Sequence, residues 1–205
     1  MSGHELEVLR IVALSSLLAW ASGLRLYLVV FALGLAGYLG WIELPAGLEV
    51  LQHPYVIAAA GFMLAVEFFA DKVPWLDSIW DQAHTFIRIP AGALLAAGAT
   101  GDTVNAVTVA AGLLGGTITA GTHFAKAGSR LAVNASPEPF TNWAASFTED
   151  AVVLGGTWLA IAHPAVFLAF FAVFVVFLAW LLPKLWRFVA GLFRHASAAL
   201  GGRAP

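Results

Sequence analysis

Of 205 residues, 60% are apolar and 11% charged, against about 45–50% and about 25% in soluble domains. A net charge of −2, with no basic cluster outside the C-terminal tail, excludes a nucleic-acid surface, and the lack of cysteine excludes disulfides, thiolate metal sites and a cysteine nucleophile. Mean hydropathy is +0.86, and the apolar excess reads as lipid-facing surface, because a chain of this size in water needs a charged exterior.

In chain order, the opening MSGHELEVLR carries Glu5 and Glu7 without a cleavage-type site, and reads as the cytoplasmic start of a mature chain. Six segments are long and apolar enough, or nearly so, to cross a bilayer: 8–41, 54–71, 78–100, 104–125, 142–162 and 164–182. Leu44, Pro45, Ala46 and Gly47 end the first, His53 and Pro54 open the second, and Asp71 to Pro74 close it. Gly101 and Asp102 part the third from the fourth. Ser136, Pro137, Glu138 and Pro139 cannot be helix interior, and His163 and Pro164 divide the last two. The first segment would be about 50 Å long as a helix. It must therefore tilt, extend beyond the bilayer, or break near Ser22 and Gly23.

With the N-terminus inside, the inner segments hold Arg10, Lys72, Lys126, Arg130, Lys184, Arg187, Arg194 and Arg203, while the outer connections 42–53, 101–103 and 163 hold no Lys or Arg. That asymmetry predicts a multi-pass protein of the bacterial inner membrane with both termini cytoplasmic. The expected fold is all-α, a polytopic membrane helix bundle of about six spans. It divides into one transmembrane domain over 1–183 and a cytoplasmic tail over 184–205, whose KLWRFVAGLFRH reads as an amphipathic helix on the inner leaflet.

Two internal echoes suggest duplication. Gly23-Leu24-Arg25-Leu26 resembles Gly128-Ser129-Arg130-Leu131, and His53-Pro54 resembles His163-Pro164, at offsets of 105 and 110. Three spans per half would invert the second half relative to the first. A competing offset of 65 sets Pro74, Asp77, Asp81 and His84 against Pro139, Asn142, Ser146 and Glu149.

Ionisable residues inside spans are costly and face protein or water. At 100° per residue Asp77, Asp81, His84 and Arg88 form one stripe. Thr119, His123, Lys126, Arg130 and Asn134 form a second, Asn142, Ser146, Glu149 and Asp150 a third, and Glu67 and Asp71 are four apart. By depth, Asp71, Lys72, Asp77, Lys126 and Glu138 fall near the inner boundary, whereas Arg25, Arg88, Glu149 and Asp150 come closest to mid-membrane. Arg88 is expected to pair with Glu149 or Asp150, and His84, Arg88, His123, Arg130 and Glu149 to converge on a wet cavity. Asp77 and Asn142 also have a simpler reading, as helix caps.

The stretches ADKVPWLDSIWDQAHTFIRIPAGALLA (70–96) and THFAKAGSRLAVNASPEPFTNWAASFTEDAVVLGG (122–156) resemble the two signature regions of an uncharacterised bacterial integral-membrane family, the domain of unknown function numbered four-one-two-six. Ile89 departs from that pattern, where a second proline beside Pro90 is expected. The resemblance implies no activity, so function rests on the residues.

Arg25, Asp81, His84, Arg88, His123, Lys126, Arg130, Glu149 and Asp150 read as a substrate or proton pathway in a secondary transporter or channel for a small polar solute, with the Arg and Lys side chains favouring an anionic group on it and His84, His123 and Glu149 as proton relays. The alternatives are an intramembrane metal-dependent enzyme acting on a lipid or polyprenyl headgroup, with Asp77, Asp81 and His84 as candidate ligands, and a nonenzymatic assembly protein. No catalytic constellation and no cofactor motif is evident. The expected partners are the lipid bilayer and a small polar solute, with no nucleic acid, and self-association stays open.

Overall fold

The computed structural model describes residues 2–101, 105–134 and 139–201. The connection at 102–104 and the break at 135–138, with Glu138, lie outside the described residues. Among those described, all regular structure is helical: α1 (Gly3–Tyr38), a short 3₁₀ helix (Ala46–Gln52), α2 (Pro54–Ala70), α3 (Pro74–Gly98), α4 (Ala106–Asn134), α5 (Pro139–Ala162) and α6 (Pro164–Gly201).

The starts follow local chemistry. Proline opens α2, α3, α5 and α6, where its missing N–H costs no helical bond. Ser2 and Glu5 form a reciprocal cap on α1, and His53 Nδ1 accepts from the Tyr55 N–H at the start of α2.

α1 is not one rod. Arg25 has φ −145° and ψ 69°, outside the helical region, and the chain doubles back there. Arg10 and Leu14 of the first leg line one cavity of about 410 Å³ with Leu33 of the second, beside Trp41, Glu43 and Ala160. A straight helix would hold Leu14 and Leu33 about 28 Å apart. Gly23 makes the tight approach to α4 feasible, since a Cβ there would lie 2.7 Å from the Thr119 carbonyl oxygen. The break interrupts the backbone ladder, and Lys126 Nζ donates to the Leu24 carbonyl at 3.0 Å. Of the outcomes expected for the first segment, a break near Gly23 is the one found.

This reversal sets the path of the whole chain. Arg10, Glu43, Thr100, Gly101 and Ala160 gather at one end, called distal here. Arg25, Asp71, Arg130 and Glu149 meet toward the other, basal end. The second leg of α1 returns to the distal end, α2 descends, α3 rises, α4 descends, α5 rises and α6 descends. Two expectations change as a result. The six segments form seven legs, because the first doubles back at Arg25, so the described ends of the chain point to opposite ends of the bundle. The two echoes are likewise separated by an even number of legs, so the elements that carry them run in the same sense, not inverted.

By length and composition, two helices suffice to cross a membrane, α1 and α6 over Pro164–Gly191, or up to three if the 3₁₀ helix and α2, bent by 69°, form one span. The packing is apolar outside and charged inside. Phe62, Phe86, Leu94, Leu113 and Val173 are each at least two-thirds exposed, while Arg25, Arg88, Glu67 and Asp71 are wholly buried. An apolar core of Leu17, Leu18, Trp20, Leu33, Leu48, Val153 and Phe167 fills the distal half. Trp20 stands edge-on to Phe170 and Phe174 of α6. α6 runs unbroken through Pro183, with Lys184 Nζ 3.3 Å above the Trp180 ring. The side chains of Arg194 and His195 and residue Arg203 lie outside the described set.

Candidate functional site

The turn at Arg25 delivers a guanidinium to two other elements, the basal end of α2 and the middle of α5. Arg25 pairs with Asp71, which follows α2, and its Nε lies 2.9 Å from Asp150 Oδ1 and 3.4 Å from Glu149 Oε2 on α5. Its Nη2 donates to the Ser146 hydroxyl at 2.7 Å and to the Ser146 carbonyl at 3.1 Å. A planar fork can satisfy acceptors on several sides at once, which an ammonium cannot do from a fixed position.

α3 brings Asp81 and Arg88 seven residues apart on one face. Arg88 Nη1 donates to Asp81 Oδ1 at 3.1 Å, and Nη2 donates to Glu67 of α2. α4 contributes Lys126 and Arg130. Lys126 Nζ stands at 3.4–3.9 Å from carboxylate oxygens of Glu149, Asp81, Glu67 and Asp71. Arg130 Nε donates to Glu149 Oε1 at 3.1 Å, and Nη1 donates to the Asn142 carbonyl at 3.1 Å. One network thus joins α1 to α5. Desolvating such charges is costly, and only mutual pairing with added hydrogen bonds offsets it.

His123 is held in one tautomer by its neighbours. The Arg88 guanidinium can only donate, so Nδ1 accepts from it at 3.3 Å. Nε2–H then donates to Thr85 Oγ1 at 2.7 Å, and the Thr85 hydroxyl donates to the Asp81 carbonyl at 3.1 Å. A cavity of about 170 Å³ opens between α3 and α4 against this edge of the network, lined by Asp81, Gln82, Thr85, His123 and Arg130 among others.

The sequence-derived residues fall into two groups. Arg25, Asp81, Arg88, His123, Lys126, Arg130, Glu149 and Asp150 come together. His84 turns aside: it stacks on Trp80 with centroids 4.0 Å apart, and its ring nitrogens engage the Trp80 carbonyl at 2.8 Å and the Tyr27 hydroxyl at 3.0 Å. Asp77 is buried in the first turn of α3. Among the described residues no group of three or more His, Asp or Glu is placed to hold a metal ion, so Asp77, Asp81 and His84 do not assemble into a metal site.

Three expectations are corrected. Arg88 pairs with Glu67 and Asp81, not with Glu149 or Asp150, because Arg25 and Arg130 reach the α5 carboxylates first. Asp71 and Lys126, placed by depth at the inner boundary, lie inside the network. The cavity takes His123 and Arg130 but not His84, Arg88 or Glu149. Glu67 and Ser146 were seen only as members of stripes. A lone acid in the apolar run LAVEFFA was the available signal that Glu67 must find a buried cation.

No curated protein and no solved structure matches the chain. Residues 12–184, which include every group of this network, match the family described as Domain of unknown function (DUF4126), and the chain belongs to that family.

Proposed function

We propose that the protein is a multi-pass protein of the bacterial inner membrane and acts as a secondary transporter or channel for a small polar solute, with the charged network as its working centre. The carrying observation is a helix broken inside the bundle at Arg25, with ionised groups from five elements collected at the break. Broken backbone is tolerated at membrane depth only where protein or a water-filled cavity satisfies it, and discontinuous helices mark binding sites in many transporters. The apolar exterior supports embedding in lipid. In this reading α1 enters and returns as a hairpin from the distal face, its second leg about 20 Å long, and α2 to α6 each cross. Lys72, Arg130, Lys184 and Arg187 on the basal side, against Arg10 on the distal side, make the basal face cytoplasmic, so the N-terminus, expected inside, is outside and the C-terminus inside. Residues 1–183 form the membrane domain, and 184–205 a tail along the inner leaflet.

The test is reconstitution into liposomes loaded with a pH-sensitive dye, challenged with small carboxylates, phosphate, amines and sugars. Solute-dependent proton flux with at least one class, lost in Asp81→Asn, is expected. Flux with none, together with a Gln82→Cys site closed to water-soluble thiol reagents, overturns the reading. That outcome would favour an assembly protein, the second reading, which the complete enclosure of Arg25, Arg88, Glu67 and Asp71 supports. No specific observation among the described residues favours the intramembrane metal-dependent enzyme.

A further inference from the structure

Among the described residues the network's charges do not cancel. Arg25, Arg88, Lys126 and Arg130 supply four cations, while Glu67, Asp71, Asp81, Glu149 and Asp150 supply five carboxylates. At its edge Asp77 acts on Arg130, and Lys72 acts on Asp71 and Asp150. They add one charge of each sign and leave the difference unchanged.

The pairing geometry identifies the odd member. Arg25 holds Asp150 at 2.9 Å and Arg130 holds Glu149 at 3.1 Å, whereas Arg88 is shared by Glu67, its nearer partner, and by Asp81 at 3.1 Å, which borders the cavity between α3 and α4. Asp71 stands within reach of Arg25, Lys126 and Arg130 together. Glu67 remains. It is wholly buried, and it shares Arg88 with Asp81 and stands 3.9 Å from Lys126. Its Oε2 has no hydrogen-bond partner among the described residues; the same holds of Asp71 Oδ1 and Asp81 Oδ2, but Asp71 faces three cations and Asp81 borders the cavity. Glu149 and Asp150, by contrast, keep 17% and 21% of their side-chain surface exposed and can be hydrated.

An enclosed carboxylate without its own countercharge takes up a proton or a cation. A metal ion does not fit here, because it would share the site with the Arg88 guanidinium and the Lys126 ammonium, and no metal-holding group exists among the described residues. We infer that the charged centre carries one exchangeable proton, held by Glu67 as a neutral carboxyl that still accepts from Arg88 through its carbonyl oxygen, and that this proton is the coupling ion. The inference rests on the transporter reading for its purpose, although the proton site itself does not require transport.

The groups facing Glu67 are Arg25 and Tyr27 of α1, Asp71 after α2, Arg88 and Asp81 of α3, and Lys126 of α4. From α5, Glu149 and Asp150 act through Arg25. Arg88 touches both Glu67 and Asp81, and Asp81 lines the cavity between α3 and α4. Discharge breaks the O–H bond of the Glu67 carboxyl and forms one on the Asp81 carboxylate. Transfer to water in the cavity then restores the Asp81 carboxylate and leaves Glu67 ionised. Reloading runs the two transfers backwards, from cavity water to Asp81 and from Asp81 to Glu67, and no other reactant is consumed.

Infrared difference spectroscopy of the intact protein in lipid tests this, because a protonated carboxyl has a carbonyl stretch separate from the carboxylate bands. A single such band at neutral pH is expected, shifting in heavy water, absent in Glu67→Gln and retained in Glu149→Gln. Glutamine mimics the neutral carboxyl, so Glu67→Gln should also keep near wild-type unfolding behaviour, whereas Asp71→Asn should not. Absence of the band from mildly acidic to mildly alkaline buffer overturns the inference, as does a band that survives Glu67→Gln and vanishes in Asp81→Asn. A band assigned to Glu67 without solute-linked flux keeps the proton site and removes only the transporter reading.

Discussion

Arg25 Nε and Asp150 Oδ1 meet at 2.9 Å, tying the turn of α1 to the middle of α5. The same guanidinium pairs with the wholly buried Asp71, so three elements depend on one side chain. Arg25→Ala takes from Asp71 its direct partner, leaving Lys126 and Arg130 at 3.9 Å, and should cost about 3–5 kcal/mol, while Arg25→Ala combined with Asp71→Ala should cost less than the sum of the two. Arg25→Lys should not rescue, since one ammonium cannot reach Ser146, Asp71 and Asp150 together. Reversible unfolding in mixed micelles measures all four variants, and strictly additive losses would show that the pair is not coupled.

Arg88 gives a second cycle with a chosen contrast. Arg88→Ala with Asp81→Ala should show a coupling of about 0.5–3 kcal/mol, as contacting pairs do. Arg88→Ala with Glu149→Ala should show a smaller one, carried only through Lys126. A larger coupling for the second pair would contradict the arrangement of the network.

The contact of α3 with α4 depends on Gly92, where an added Cβ would lie 2.1 Å from Thr119 Oγ1. That hydroxyl sits 2.7 Å from both the Ala19 and Gly115 carbonyls and cannot move without losing them. Gly92→Ala should therefore destabilise by about 1–3 kcal/mol through overpacking. Gly155→Ala, with open space around its Cβ, should be neutral or stabilising by up to about 1 kcal/mol from helix propensity. The two melting temperatures decide the matter, and equal shifts would refute the packing account.

Topology can be read by labelling, because the native chain has no cysteine. Ser2→Cys and Trp41→Cys should react with a membrane-impermeant thiol reagent from one side, and Trp75→Cys from the other. All three positions are exposed. Ser2→Cys and Trp75→Cys reacting from the same side would remove the α1 hairpin from the membrane arrangement.

Much of this was legible in one dimension. Proline marked the start of α2 and the division between α5 and α6, while α3 and α5 begin earlier than 78 and 142, at Pro74 and Pro139; the 3.6-residue period placed Asp81 with Arg88 and Lys126 with Arg130 on single faces, because helix geometry is local. Composition demanded a nonaqueous exterior for the same reason that it forbade a soluble core: too few charges to cover the surface. Partner choice within the network was not legible. It follows from one non-helical residue, Arg25, whose reversal is favoured only once Gly23 packs on α4 and Lys126 occupies the Leu24 carbonyl. That turn lets Arg25 and Arg130 claim the α5 carboxylates, leaves Arg88 to Asp81 and Glu67, and fixes the number and sense of the legs. Local preferences carry no information about contacts a hundred residues apart, so only the tertiary structure could decide them.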